Sequence, residues 1–217
     1  MIASVEGLLR AEGRFSVGKG RIPLLEVCLV LAGCGVIYGA ALGSFNVRAL
    51  QMLFSALKVP LLLAGATSIC LPSFYVINTV IGLRDDFDAA LRGVLAAQGT
   101  VAICLAALAP VTVVCYLSSS SYRLAVAANG VCFLLAALAG QVTLQRHYRP
   151  LILRNPRHGL ARTTWLALYV FVVIQAAWVL RPFVGSPGME THFFRQEAWS
   201  NAYVVVVRTV WELLGAR

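Results

Sequence analysis

Histidine and cysteine are the side chains most often used for metal, haem and redox chemistry. The sequence has three histidines, His147 and His158 in one basic stretch and His192 near the C-terminal end. Two histidine ligands for a haem inside a helical bundle are therefore lacking. The six cysteines lie in apolar runs and form no C-x-x-C pair: Cys28, Cys34, Cys70, Cys104, Cys115 and Cys132. We interpret them as small packing residues and expect no cofactor and no metal.

An acidic run, Asp85, Asp86 and Asp88, precedes a long apolar stretch. Such a cluster could hold a divalent ion, but carboxylates at a helix start also interact favourably with the helix dipole. Asp88 and Arg92 have the spacing of an i,i+4 ion pair. With no second acidic motif, we favour helix capping and pairing with the basic stretch 145–162.

Two serines follow glycine and could act as nucleophiles, Ser44 in LGSF and Ser186 in VGSP. Neither lies in a G-x-S-x-G frame with a nearby base. The sequence therefore predicts a protein that is not an enzyme.

Pro72 lies midway along an apolar run, where proline removes a helix hydrogen bond. Thr67, Ser73 and Asn78 are close to it in sequence. A broken helix with polar neighbours can form a transport site, whereas Ser and Thr side chains also repair a fixed kink. We favour the kink and keep as an alternative a small transporter or channel with a broken-helix site near Pro72.

The elements that position these residues are apolar helices, because 59% of the residues are hydrophobic and only 12% are charged. A helix crosses the hydrocarbon core with about 20 apolar residues. Five stretches meet that length: 22–44, 59–82, 91–117, 122–144 and 163–184. The predicted fold is an all-α, polytopic membrane helical bundle over 22–184, after an N-terminal segment 1–21 and before an outer-face segment 185–217.

Two amphipathic helices are predicted to lie in the membrane interface. The first covers 45–58, with Leu50, Leu53, Phe54 and Leu57 on one face. The second is C-terminal, with Trp199, Tyr203, Val206, Val210 and Leu214 at helical spacing. Arg208 and Glu212 interrupt its apolar stretch, so we favour an interfacial helix over a sixth span.

The basic residues predict the orientation. With five spans and a cytoplasmic start, eleven Lys or Arg residues fall in inside segments and seven in outside segments, which favours the N-terminus inside and the C-terminus outside. The stretch 145–162 should face the cytoplasm, and its arginines should contact lipid headgroups: Arg146, Arg149, Arg154, Arg157 and Arg162. We attribute the net charge of +9 to lipid contact and exclude nucleic acid as a partner.

Small residues recur every fourth position on two predicted spans: Gly35, Gly39 and Gly43 on the first, and Ala128, Cys132, Ala136 and Gly140 on the fourth. Such stripes allow helix backbones to approach closely in lipid. The contact is either with a partner chain or within this chain, and we favour the second.

The stretch 180–199 combines turn formers with an unusual number of aromatic residues. A disordered tail is poor in aromatic residues, so we predict an ordered contact, either with a partner or folded back on the bundle. The residues that would make it are Arg181, Phe183, Phe193, Phe194 and Trp199.

Two long stretches, SALKVPLLLAGATSICLPSFYVINTVIGLRDDF and VLRPFVGSPGMETHFFRQEAWSNAYVVVVRTVW, resemble the signature regions of a family of uncharacterised bacterial multi-pass membrane proteins. The layout of five spans is also similar to the Yip family of membrane-trafficking proteins, although the DLYGP-type segment of its eukaryotic members is absent. The first resemblance implies the bacterial cytoplasmic (inner) membrane, and neither implies an activity.

These observations favour a non-enzymatic membrane subunit that packs with membrane lipids and with other membrane protein chains, or with copies of itself, as a structural or assembly component.

Overall fold

The computed structural model describes residues 24–185 and 191–194. Five long α-helices contain most of them: α1 (Leu24–Gly43), α2 (Ala49–Val80), α3 (Phe87–Ser118), α4 (Tyr122–Arg154) and α5 (Arg157–Val179). Each is long and apolar enough to cross a membrane, and a helix satisfies its own backbone hydrogen bonds in lipid. No strand occurs in the described ranges, so the prediction of an all-α membrane helical bundle is confirmed.

Short connections make successive helices run in alternating directions. One end of the bundle holds the α2–α3 turn (81–86) and the α4–α5 turn (155–156). We call it the basic end because seven arginines lie there: Arg84, Arg92, Arg146, Arg149, Arg154, Arg157 and Arg162.

The opposite end holds the α1–α2 turn (44–48), the α3–α4 turn (119–121) and the residues that follow α5. We call the described residues 181–185 and 191–194 the strap, and this end of the bundle the strap end. The peptide bond between Arg181 and Pro182 is cis.

The helices pack around two buried clusters. α1 contacts α2 and α3, and α4 packs against α3. Tyr38, Leu42, Phe45 and Leu105 belong to the larger cluster of buried residues. α5 packs mainly on α2, and Trp165 contacts Phe74 in the second cluster. α5 is also the least buried of the five helices, so it lies at the edge of the bundle.

Two boundaries differ from those predicted. Residues 49–58 are the first turns of α2 and not a separate interfacial helix, although Leu50, Leu53 and Leu57 do form an exposed apolar face. The opposite, polar face of these turns contacts the strap. Likewise α4 extends to Arg154, and only Asn155 and Pro156 separate it from α5. The predicted loop 145–162 is therefore mostly helical.

α2 runs through Pro60 and Pro72 without interruption. The transporter or channel alternative stays a prediction. Pro72 and Ser73 are exposed on the outside of the bundle. The Thr67 hydroxyl donates to the carbonyl oxygen of Leu63, a contact that leaves this part of α2 helical.

Candidate functional site

Three polar side chains on the first turns of α2 hold the strap. Gln51, Ser55 and Lys58 are spaced i, i+4 and i+7, which places them on one face of the helix, and all three are buried. Gln51 Nε2 donates to the carbonyl oxygens of Pro182 (3.2 Å) and Phe183 (2.9 Å). The Ser55 hydroxyl also donates to the Phe183 carbonyl. These side chains satisfy backbone groups of an irregular segment that would otherwise need water.

We call Gln51, Ser55 and Lys58 the clamp. Lys58 is its last member along α2 and is fully buried. Its Nζ donates to the carbonyl oxygen of Pro182 at 2.8 Å and to that of His192 at 3.5 Å. The amine also lies 5.1 Å from the ring centre of Phe193 and 6.0 Å from that of Phe54. A buried ammonium is costly unless its donors are taken up, and carbonyl oxygens and aromatic faces both do so. Lys58 therefore joins the two described parts of the strap to α2.

The apolar side of the strap closes the end of the bundle. Val184 belongs to the larger buried cluster, and Phe183 packs against it. Phe193 lies edge-on to Phe54 at 5.3 Å between ring centres. The strap thus combines backbone hydrogen bonds with apolar burial, as a folded element does.

The aromatic and basic residues predicted to make a contact here differ in their placement. Phe183 and Phe193 face the bundle, whereas Phe194 packs edge-on to Phe193 and remains 51% exposed. Arg181 lies over the ring of Trp178, at 4.6 Å, within its own chain. Trp199 lies outside the described residues. Of the described residues predicted to make a contact, Phe194 is the one that presents an aromatic ring outward.

The glycine stripe on α1 faces α2. A Cβ at Gly39 would lie 2.7 Å from Ala56 Cα, and one at Gly43 would lie 2.7 Å from Met52 Cα. A Cβ at Gly35 would meet Pro60 at 3.1 Å. The stripe therefore lies in a close backbone contact within this chain.

The stripe on α4 faces α3 over most of its length. Cys132, Ala136 and Gly140 are buried, and Ala128 is partly buried. A Cβ at Gly140 would meet the Ala97 carbonyl oxygen of α3 at 3.2 Å.

At the basic end, four of the five arginines predicted to contact headgroups are exposed, namely Arg146, Arg149, Arg154 and Arg157, and Arg162 is partly buried. The Arg157 guanidinium also donates to the Ile81 carbonyl at 3.3 Å. Headgroup contact stays a prediction.

The acidic run does pair with the basic stretch, but through a histidine: His158 Nε2 lies 3.1 Å from Asp86 Oδ2. Asp86 immediately precedes α3 without a side-chain capping bond.

Sequence reasoning missed the clamp. Lys58 is one of the basic residues assigned to the outside, and the prediction of an interfacial helix over 45–58 rests on its apolar face alone. The signal was the spacing of Gln51, Ser55 and Lys58.

The clamp has the chemistry of an anchor. The described residues contain no group of three or more His, Cys, Asp or Glu side chains that could hold a metal ion. The side chains of Gln51, Ser55 and Lys58 donate hydrogen bonds to backbone carbonyl oxygens of the strap. These bonds hold the strap backbone on α2.

The five spanning helices define the chain as a multi-pass integral membrane protein. No family model, curated protein or solved structure matches it. The resemblances to bacterial multi-pass proteins and to the Yip family stay predictions.

Proposed function

We propose that this protein is a non-enzymatic integral membrane subunit that packs with other membrane proteins as a structural or assembly component, and that the strap is its docking element. The observation that carries this proposal is the clamp. Three buried polar side chains of α2 fix a non-helical segment whose Phe194 ring faces outward.

The energetic argument rests on the contrast between the two neighbouring phenylalanines. Phe193 is held against Phe54 and near the Lys58 amine, so the backbone that carries Phe194 is fixed before any partner arrives. An aromatic side chain presented on a rigid backbone loses little conformational entropy on binding, and aromatic residues dominate binding energy at protein interfaces.

The charge distribution supports an orientation with the basic end in the cytoplasm. Seven arginines lie at that end, whereas the described basic residues of the strap end are Arg48, Lys58, Arg123 and Arg181. The positive-inside rule then puts the N-terminus inside and the C-terminus outside. The resemblance to bacterial multi-pass proteins supports a location in the bacterial cytoplasmic membrane. In this orientation the strap lies on the side of the membrane opposite to the cytoplasm.

The test is recovery of the complex from native membranes in mild detergent, for the wild type and for Phe194→Ala and Phe194→Leu. A protein pocket is shape-specific, so both variants should lower recovery of co-purifying subunits, and leucine should restore only part of the loss. Leu53→Ala is the matched control, because Leu53 is 56% exposed at the same end of the bundle.

Unchanged recovery in both Phe194 variants would refute a docking role. Reconstituted vesicles should show no protein-dependent solute flux, and such flux would instead indicate a transporter.

A further inference from the structure

Four buried polar atoms collect at the basic end without a protein partner. They are Asn78 Oδ1 on α2, His147 Nε2 and the Tyr148 hydroxyl on α4, and His158 Nδ1 on α5. All four side chains are at least 99% buried. Buried polar groups in folded proteins are nearly always hydrogen-bonded, to protein or to ordered water. Four such atoms at one end of a bundle therefore require an explanation.

Contacts between the helix ends bring three of these residues, Asn78, Tyr148 and His158, together. The Tyr148 ring lies edge-on to the His158 imidazole at 6.5 Å between centres. His158 contacts Asp86 in the α2–α3 turn, and the Asn78 carbonyl accepts from Leu83 N in that same turn. Asn78, Tyr148 and His158 thus lie at the junction of α2, α4 and α5, whereas His147 lies against Gly93 of α3.

The bonds already made define what each free atom can do. Asn78 Nδ2 donates to the Phe74 carbonyl, so Oδ1 is the free atom and can only accept. His147 Nδ1 contacts the Thr143 carbonyl and must carry the proton, which leaves Nε2 as an acceptor in the neutral ring. By the same reasoning, His158 donates from Nε2 to Asp86 and accepts at Nδ1 when neutral.

With a neutral His158 ring, the junction therefore offers two acceptors and one hydroxyl. This set does not suit an anion, which needs donors, in spite of the nearby arginines. Water both donates two hydrogen bonds and accepts from the hydroxyl, and buried water typically makes about three hydrogen bonds to such groups.

We propose that the junction of α2, α4 and α5 at the basic end is an internal water site built by Asn78, Tyr148 and His158. The water extends the Asp86–His158 contact into the bundle and joins the α2–α3 turn to α4 and α5 through one hydrogen-bonded network. This site is independent of the strap and of the docking role.

The first test is Tyr148→Phe in the full-length protein in detergent. If the hydroxyl binds water, its removal should lower the melting temperature by about 2 to 4 °C, the usual effect of one lost hydrogen bond in a protein of this size. Tyr75→Phe is the control, because the Tyr75 side chain is exposed on α2, and it should melt as the wild type does. An unchanged or higher melting temperature for Tyr148→Phe would overturn the proposal.

The second test needs no variant. Radiolytic hydroxyl-radical labelling in ¹⁸O water modifies buried side chains that contact internal water. Tyr148 should be labelled faster than Phe74, an equally buried aromatic residue in the same packed cluster. Labelling of Tyr148 no faster than that of Phe74 would overturn the proposal even if the Tyr148 variant does not fold.

Discussion

The Tyr38 hydroxyl on α1 donates a hydrogen bond to Asn129 Oδ1 on α4 at 2.9 Å, across 91 residues of sequence. Asn129 Nδ2 donates in turn to the Tyr116 hydroxyl at 2.6 Å, and Tyr116 donates to the Leu42 carbonyl at 3.1 Å. One buried asparagine therefore links three membrane helices, and removing one of its partners would leave a buried polar group without a hydrogen bond.

A double-mutant cycle on Tyr38→Phe and Asn129→Leu tests this link. Asn129→Leu should destabilise the protein in a denaturant titration in micelles, because it removes the partner of the Tyr38 hydroxyl. Tyr38→Phe should cost about 1 kcal/mol in the wild type and close to nothing in the Asn129→Leu background. Additive effects would show that the two residues do not interact.

The close approach of α1 and α2 predicts opposite effects for two glycines on the same helix. Gly39→Ala places a Cβ 2.7 Å from Ala56 Cα, so the helices must separate and the melting temperature should fall. Gly33→Ala meets nothing within 4 Å and should be neutral or stabilising by up to about 1 kcal/mol, since alanine is the better helix former. Equal losses in both variants would contradict the packing of α1 on α2.

The α1–α2 turn contains backbone strain that substitution should relieve. Val47 has φ 51°, a left-handed conformation that β-branched residues rarely adopt. Val47→Gly should raise the free energy of unfolding by about 1 kcal/mol. Relief of the backbone strain stabilises the folded state, and the greater conformational entropy of glycine in the unfolded chain offsets part of that gain. Asn46 has φ 61° and tolerates it better, so Asn46→Gly should have little effect. A destabilised Val47→Gly variant would argue against strain in this turn.

The orientation of the bundle predicts the side from which exposed positions can be labelled. In a variant without its six cysteines, Leu153→Cys at the basic end should react only from the cytoplasm. Val47→Cys at the strap end should react with an impermeant thiol reagent from outside. Both positions are strongly exposed, 79% and 87%. Reaction of both from the same side would rule out an odd number of spans between them.

The fold followed from hydropathy because lipid permits few alternatives to apolar helices. The errors occurred where polar residues continue a helix. Lys58 and the arginines of 145–154 suggested ends of spans, yet a helix longer than the membrane is thick can carry polar turns at its ends. α2 and α4, with 32 and 33 residues, do so.

The clamp was less accessible to sequence reasoning than the fold. The aromatic content of 180–199 indicated an ordered contact, but the partners of Phe183 and His192 are more than 120 residues away. Burial of Lys58 depends on those distant carbonyls, and no local pattern encodes them. The glycine stripe was accessible because helical spacing alone defines a face.

The docking role of the strap is tested most directly by photo-crosslinking in native membranes. A photoreactive phenylalanine analogue replaces either Phe194 or Leu53, two exposed positions at the strap end. Position 194 should give a discrete protein adduct that disappears in a Lys58→Met background, where the strap loses its anchor, while position 53 should react with lipid. The absence of a protein adduct at 194, or equal adducts at both positions, would contradict the account.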